Sequence, residues 1–227
     1  MDPARWNGMV VVSRGANRIC VRDPGSPAHC LKYVLQPVDA PRSHPGHWLR
    51  ARLAGTGNAN LTELRAWHYV CPRTDGSEPW RLAASEAIVE TPAGPALRCE
   101  LVRDEAGDPA PSLHQLLASG IPDADGRMAL ADAVVRFEAW LQRQAIPLFD
   151  LNSGNLVRIH RGGRPELVCV DLKSVLARKE LLPLSRWSRR LMHAKIARRA
   201  ARLRSQVLGT QHATRGGTAI ARHRTGH

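Results

Sequence analysis

Phe149-Asp150-Leu151-Asn152-Ser153-Gly154-Asn155-Leu156-Val157 and Val168-Cys169-Val170-Asp171-Leu172 decide the fold. The first stretch follows an amphipathic segment, Arg127 to Gln144, with Leu130, Val134, Phe137 and Leu141 on one helical face. Ile146 to Phe149 is a short extended piece, and Leu156 to Ile159 reads as a strand. The second stretch is an apolar strand, Leu167 to Val170, that ends on a carboxylate. The turn Arg161-Gly162-Gly163-Arg164-Pro165 joins the two strands as a hairpin. Asp150 and Asn155 stand five apart across a glycine-containing turn, so the loop can fold back and aim both side chains into one cleft. Asp171, at the far end of the hairpin, can face the same cleft.

Outward from this hairpin, the first half of the chain has a different character. Met9 to Val12, Arg18 to Val21 and His29 to Leu35 read as strands joined by turns at Ser13–Asn17 and Pro24–Ala28, an antiparallel meander. Residues 37–58 are rich in Pro, Gly, His and Arg and read as a loop, weakly helical around Trp48 to Leu53. A helix follows, with Asn60 as expected N-cap and Glu63 completing a capping box. Leu64, Trp67, His68 and Cys71 continue it and Pro72 ends it. Ser85–Glu90 and Ala96–Val102 read as a strand pair, and Asp104–Pro111 as the linker between lobes. Beyond the linker come a short helix, Ser112–Ser119, the long helix, the hairpin, and a last helix, Leu184–Val207. Leu184, Trp187, Leu191, Ile196, Leu203 and Val207 are its expected buried positions. The expected division is residues 1–104, strands plus one helix; 105–207, mainly helices with the hairpin; and 208–227, a basic disordered tail.

Composition narrows the class. Of the net charge of +13, residues 176–227 carry +12, from thirteen Lys/Arg against the single acid Glu180. The basicity is therefore a property of a C-terminal arm, and the rest of the chain is nearly neutral. No run of about 18 apolar residues occurs, and the first twelve residues lack a signal-peptide pattern, so the expected location is the cytoplasm. The five cysteines are widely spaced without a C-x-x-C pair, so buried reduced thiols are expected instead of a disulfide framework or zinc site. His44 and His47 sit three apart in a Pro-Gly loop and read as surface residues.

Moving a phosphoryl group requires a carboxylate near the attacking hydroxyl and oxygen ligands for magnesium, which takes only one or two carboxylates. Asp150, Asn155 and Asp171 have that chemistry, and Asp-x-x-x-x-Asn followed by a strand-end Asp is the spacing of a kinase catalytic loop and its metal position. With these residues stand Gly15-Ala16-Asn17-Arg18-Ile19-Cys20, Cys30-Leu31-Lys32, Glu63-Leu64-Arg65-Ala66-Trp67, Val89-Glu90-Thr91 and Leu182-Pro183-Leu184-Ser185-Arg186-Trp187-Ser188. In this order they resemble the motifs of the bacterial YrbL family, the PhoP regulatory network proteins. The resemblance implies an α+β, bilobal protein-kinase-like fold, with a small antiparallel-sheet N-lobe and a reduced, mainly helical C-lobe.

It also implies roles. Lys32 would contact the α- and β-phosphates of ATP, and Glu63 would pair with Lys32. The turn containing Gly15 would lie over the nucleotide, and Glu100 to Arg103 would form the hinge beside the adenine. Asp150 would be the catalytic base, and Asn155 and Asp171 the Mg2+ ligands. The chain departs from protein kinases in having Leu148-Phe149 before Asp150, no Gly after Asp171, one glycine in the loop and no Ala-Pro-Glu segment. Three readings follow: an ATP- and Mg2+-dependent phosphotransferase acting on a small-molecule or protein acceptor, a non-catalytic kinase-like regulatory module, and a protein that contacts nucleic acid or an anionic membrane surface through its basic arm.

Overall fold

The computed structural model describes residues 6, 8–35, 58–74, 76, 78–120, 123–176 and 188–209. The expected weak helix at 48–53, His44, His47, Leu184, Trp187 and the tail beyond Gly209 lie outside the described residues.

The first half forms one antiparallel sheet. Strands β1 (Val11–Arg14), β2 (Arg18–Arg22), β3 (His29–Val34), β4 (Ser85–Val89) and β5 (Ala96–Glu100) lie in the order β1-β2-β3-β5-β4. The meander and the later strand pair are thus joined, because β3 pairs with β5 in the register Cys30↔Cys99 and Lys32↔Leu97. Lys32 is also the Cα partner of Cys20 on β2, so it sits on an interior strand. Ile19, Val21, Leu31 and Tyr33 alternate along β2 and β3 into one buried cluster with Leu35 and Ala96.

Helix α1 (Ala59–Val70) lies against this sheet. The expected capping box is corrected here. The N-cap is Asn58, whose side chain accepts from the Asn60 N–H, while Asn60 and Glu63 turn inward with Ala66 and Val70. A polar pair at the buried end of the helix face pulls the helix register away from the Leu64–Trp67 stripe, which remains only half-buried.

The second half contains α2 (Leu113–Ser119), α3 (Ala124–Arg143), β6 (Leu156–Arg161), β7 (Arg164–Cys169) and α4 (Arg189–Leu208). Ser112 and Gln115 form a capping box at the start of α2, and Asp123 caps α3. Leu130, Val134, Phe137 and Leu141 are buried on α3, as their spacing predicts, together with Trp140. The β6–β7 hairpin closes through Gly162 and Gly163, with φ of +59° and +72°. A two-residue turn with both φ positive matches strand twist and favours glycine at both positions.

Helix α4 starts at Arg189 with Ser188 as N-cap and buries Met192, Ile196, Ala200, Leu203 and Val207. Leu191, expected inside, is half-exposed. The buried stripe runs through 192, 196, 200, 203 and 207, and one residue of phase turns position 191 outward. The helix continues to Leu208, one residue past the expected boundary, and Gly209 ends it with φ +75°. Its exposed side carries Arg189, Arg190, Arg198, Arg199, Arg202 and Arg204. Of the cysteines, Cys30, Cys99 and Cys169 are buried, Cys20 is half-buried and Cys71 is exposed, all as free thiols. Among the described residues, no helix is long and apolar enough to cross a membrane.

Candidate functional site

Lys32 is almost fully buried, at 7% exposure, so its charge must be paired. Its Nζ donates to Glu63 Oε1 and to the Val170 carbonyl oxygen, each at 2.6 Å. Asn60 Nδ2 donates to the Lys32 carbonyl oxygen at 2.7 Å. The two inward polar residues of α1 therefore clamp the helix to β3, one through the side chain of Lys32 and one through its backbone. Burial acts to lower the Lys32 pKa, but the Glu63 carboxylate outweighs it and holds the ammonium well above its ordinary value.

Glu63 holds a second cation. Arg18 Nη1 donates to Glu63 Oε2, and Arg18 Nη2 pairs with Asp171 Oδ2 at 2.7 Å. Lys173 Nζ reaches the same Asp171 oxygen at 2.7 Å, and the Lys173 backbone N–H donates to Oδ1 at 3.1 Å. Burial pushes the Asp171 pKa up, but Arg18 and Lys173, with help from Lys32, keep it below the usual carboxylate value. The result is a chain of charges, Lys32–Glu63–Arg18–Asp171–Lys173, running from the sheet to the end of the hairpin.

The loop before β6 is built on Asn152. Its Oδ1 accepts from the backbone N–H groups of Gly154 at 2.9 Å and Asn155 at 3.0 Å, and its Nδ2 donates to Asp150 Oδ1 at 3.0 Å. Asn155 Nδ2 donates to Asp150 Oδ2 at 3.2 Å, and the Asp150 N–H donates to Ser174 Oγ at 3.2 Å. The Val170 N–H donates to the Asn155 carbonyl oxygen at 2.9 Å, which ties this loop to the strand end carrying Asp171.

A cleft of about 550 Å³ lies between the two halves, a size suited to a small ligand. Gly15, Arg18, Lys32, Asn155, Asp171 and Lys173 all line it, as do Glu100, Leu101 and Val102 of the expected hinge. Glu63 stands behind Lys32 and does not line the cleft, and neither does Asp150, whose carboxylate faces Asn152 and Asn155. At Gly15 an added Cβ would meet only the Arg18 carbonyl oxygen, at 3.8 Å, so packing within the protein does not require glycine there. No three His, Cys, Asp or Glu side chains among the described residues are grouped to hold a metal ion.

Sequence spacing brings Asn155 and Asp171 forward as site residues, and the family resemblance brings Lys32. Both leave Arg18 as one letter of a motif. The signal for it was strand alternation: Arg18 lies two residues from Cys20, and Cys20 faces Lys32 across the β2–β3 pair, so the sheet places all three on one face.

The family model described as PhoP regulatory network protein YrbL matches residues 7–208. No curated protein sequence matches the chain. Among solved structures, the kinase domain of Mycobacterium tuberculosis PknI is similar over 88% of this chain and 74% of its own, at 14% identity and TM-score 0.48. Rio2 kinase from Chaetomium thermophilum, solved as an ADP/Mg2+-phosphoaspartate complex, is similar over 89% of this chain and 57% of its own, at 16% identity and TM-score 0.50. With the five-stranded antiparallel sheet and the mainly helical second half, the architecture is an α+β, protein-kinase-like fold.

Proposed function

The chain belongs to the YrbL family of PhoP regulatory network proteins, and from that membership and the cleft we propose that this kinase-like regulatory protein is a nucleotide-dependent phosphotransferase. The observation that carries the reading is that Lys32, paired with Glu63 at 2.6 Å, lines one cleft with Asn155 and Asp171. A buried lysine whose charged form is favoured by a carboxylate, beside oxygen donors, is what a nucleotide's phosphates need. The sheet side would bind ATP, with Lys32 against the α- and β-phosphates and the Gly15 turn above them.

Asp171 and Asn155 would hold magnesium. The donor chemistry fits: one carboxylate and one amide oxygen, with phosphate oxygens and water completing the shell, is how this ion is commonly bound. When bound, the ion would neutralise charge on the phosphates. Asp150 would orient the acceptor hydroxyl and take its proton as the new O–P bond forms and the bond to the leaving diphosphate breaks. Asn152 and Asn155 fix the Asp150 carboxylate in place, through hydrogen bonds of 3.0 and 3.2 Å. The test is transfer or hydrolysis of the γ-phosphate by purified protein. Asp150→Ala should abolish turnover while leaving the melting temperature and nucleotide affinity in place; unchanged turnover in that variant overturns the assignment.

A second reading is a nucleotide-binding regulator without transfer. It is favoured by the position of Asp150, which does not line the cleft. Both readings expect stabilisation by Mg-ATP of about 2.7 kcal/mol at roughly a hundredfold excess over the dissociation constant. Stabilisation with no turnover selects the regulator, and no thermal shift at saturating Mg-ATP removes both.

A further inference from the structure

Two cationic side chains meet the Asp171 carboxylate. Its Oδ2 is met by Arg18 Nη2 and by Lys173 Nζ, each at 2.7 Å, and its Oδ1 accepts the Lys173 backbone N–H at 3.1 Å. Arg18 is held from behind by Glu63, and its side chain is only 12% exposed, so its guanidinium is fixed at the inner end of the cleft. Lys173 is 40% exposed and its side chain remains accessible from the cleft.

The charged residues lining the cleft are Arg14, Arg18, Lys32 and Lys173 against Glu100 and Asp171, with Glu63 behind Lys32 and Arg18, so positive charge remains in excess. Arg18 and Lys173 together bring to Asp171 the two positive charges of one divalent ion. Guanidinium and ammonium groups carry five and three N–H donors, more than one carboxylate uses, so both can bridge from Asp171 to phosphate oxygens.

We propose that Arg18 and Lys173 are phosphate-binding residues that supply at Asp171 the charge a divalent ion would bring, so that the cleft binds a nucleoside triphosphate without a metal. This rests on the cleft being a nucleotide site, and it separates nucleotide binding from any metal requirement of transfer. It also gives a role to the arginine of the Gly15–Cys20 motif, which phosphoryl transfer by Lys32, Asp150, Asn155 and Asp171 leaves unused.

The experiment is calorimetric titration of ATP into the full chain, in excess EDTA and in excess Mg2+. Dissociation constants agreeing within about threefold support the proposal. Lys173→Gln should then weaken binding in EDTA by about tenfold, the loss of one charge-assisted hydrogen bond, with part of the loss recovered in Mg2+. Arg18→Gln should do the same, with circular dichroism checking its fold; Lys173→Gln, at a half-exposed side chain, keeps the test independent of folding. ATP that binds in Mg2+ but about tenfold or more weaker in EDTA overturns the proposal and leaves the nucleotide site standing. Tighter binding by Lys173→Gln and Arg18→Gln also overturns it, since these cations would then merely block Asp171. No binding under either condition sinks both this inference and the nucleotide site.

Discussion

Asp171 links the site to stability. Arg18 and Lys173 hold its folded pKa below the ordinary value, so its ionised form is favoured by folding. That contribution is present above the unfolded-state pKa of about 3.9 and is lost as pH falls through the depressed folded value. Asp171→Asn should therefore be less stable than the parent at neutral pH, with the gap shrinking as pH drops below about 4. Urea unfolding at neutral and acid pH measures the gap; a gap that stays constant across that range refutes the coupling. The candidacy of Asp171 was legible because a carboxylate ending an apolar strand is conspicuous in a sequence. Its two cationic partners were not equally so: Lys173 stands two residues away, whereas Arg18 reaches it across the fold.

Helix α1 shows how much of an element a sequence can carry. Its existence and its end before Pro72 were legible from spacing, since the helix spans Ala59–Val70. Its start is not legible, because Asn60 and Glu63 also satisfy the local capping pattern, and only the position of Lys32 on a distant strand decides that they turn inward. The same limit applies to α4, where the long helix was legible but a one-residue phase shift exchanged Leu191 for Met192 in the core. The correction on α1 yields a measurable difference. Asn58→Ala removes the side chain that accepts the Asn60 N–H at 3.0 Å, and should cost about 1 kcal/mol in urea unfolding without changing nucleotide affinity. Asn60→Ala removes the 2.7 Å bond to the Lys32 carbonyl, at about 0.5–1.5 kcal/mol. It should also weaken nucleotide binding, because the clamp that sets Lys32 is loosened. Equal effects of the two variants on affinity would mean that the Asn60–Lys32 bond does not set the cleft.

Across the whole molecule, two buried ionic clusters among the described residues bridge the sequence halves, and only one faces the cleft. The cleft tie runs through Arg18, Glu63, Lys32 and Asp171. The other centres on Glu166 of β7, which is 1% exposed and meets Arg81 Nη1 at 3.1 Å, Arg136 Nε at 2.8 Å and Arg164 Nε at 3.0 Å. Arg81, 2% exposed, belongs to the short 3-10 turn Pro79–Arg81 before β4, and Arg136 to α3, so one carboxylate joins the first half to the hairpin and the long helix. Nothing in the local sequence announces this tie, because Glu166 lies 85 residues from Arg81 and 30 from Arg136. Removing a buried carboxylate strands its cations in a poorly solvated place, which costs about 3–5 kcal/mol. Glu166→Ala should lose stability of that order in urea unfolding. Arg164→Gln, whose side chain is 62% exposed, should lose less than about 1 kcal/mol, as exposed ion pairs do. Since Glu166 does not line the cleft, an engineered apolar replacement of the Arg81–Glu166 pair that restores stability should leave ATP affinity unchanged. Lost affinity in a variant of parental stability would mean that this second tie also sets the spacing of the cleft walls.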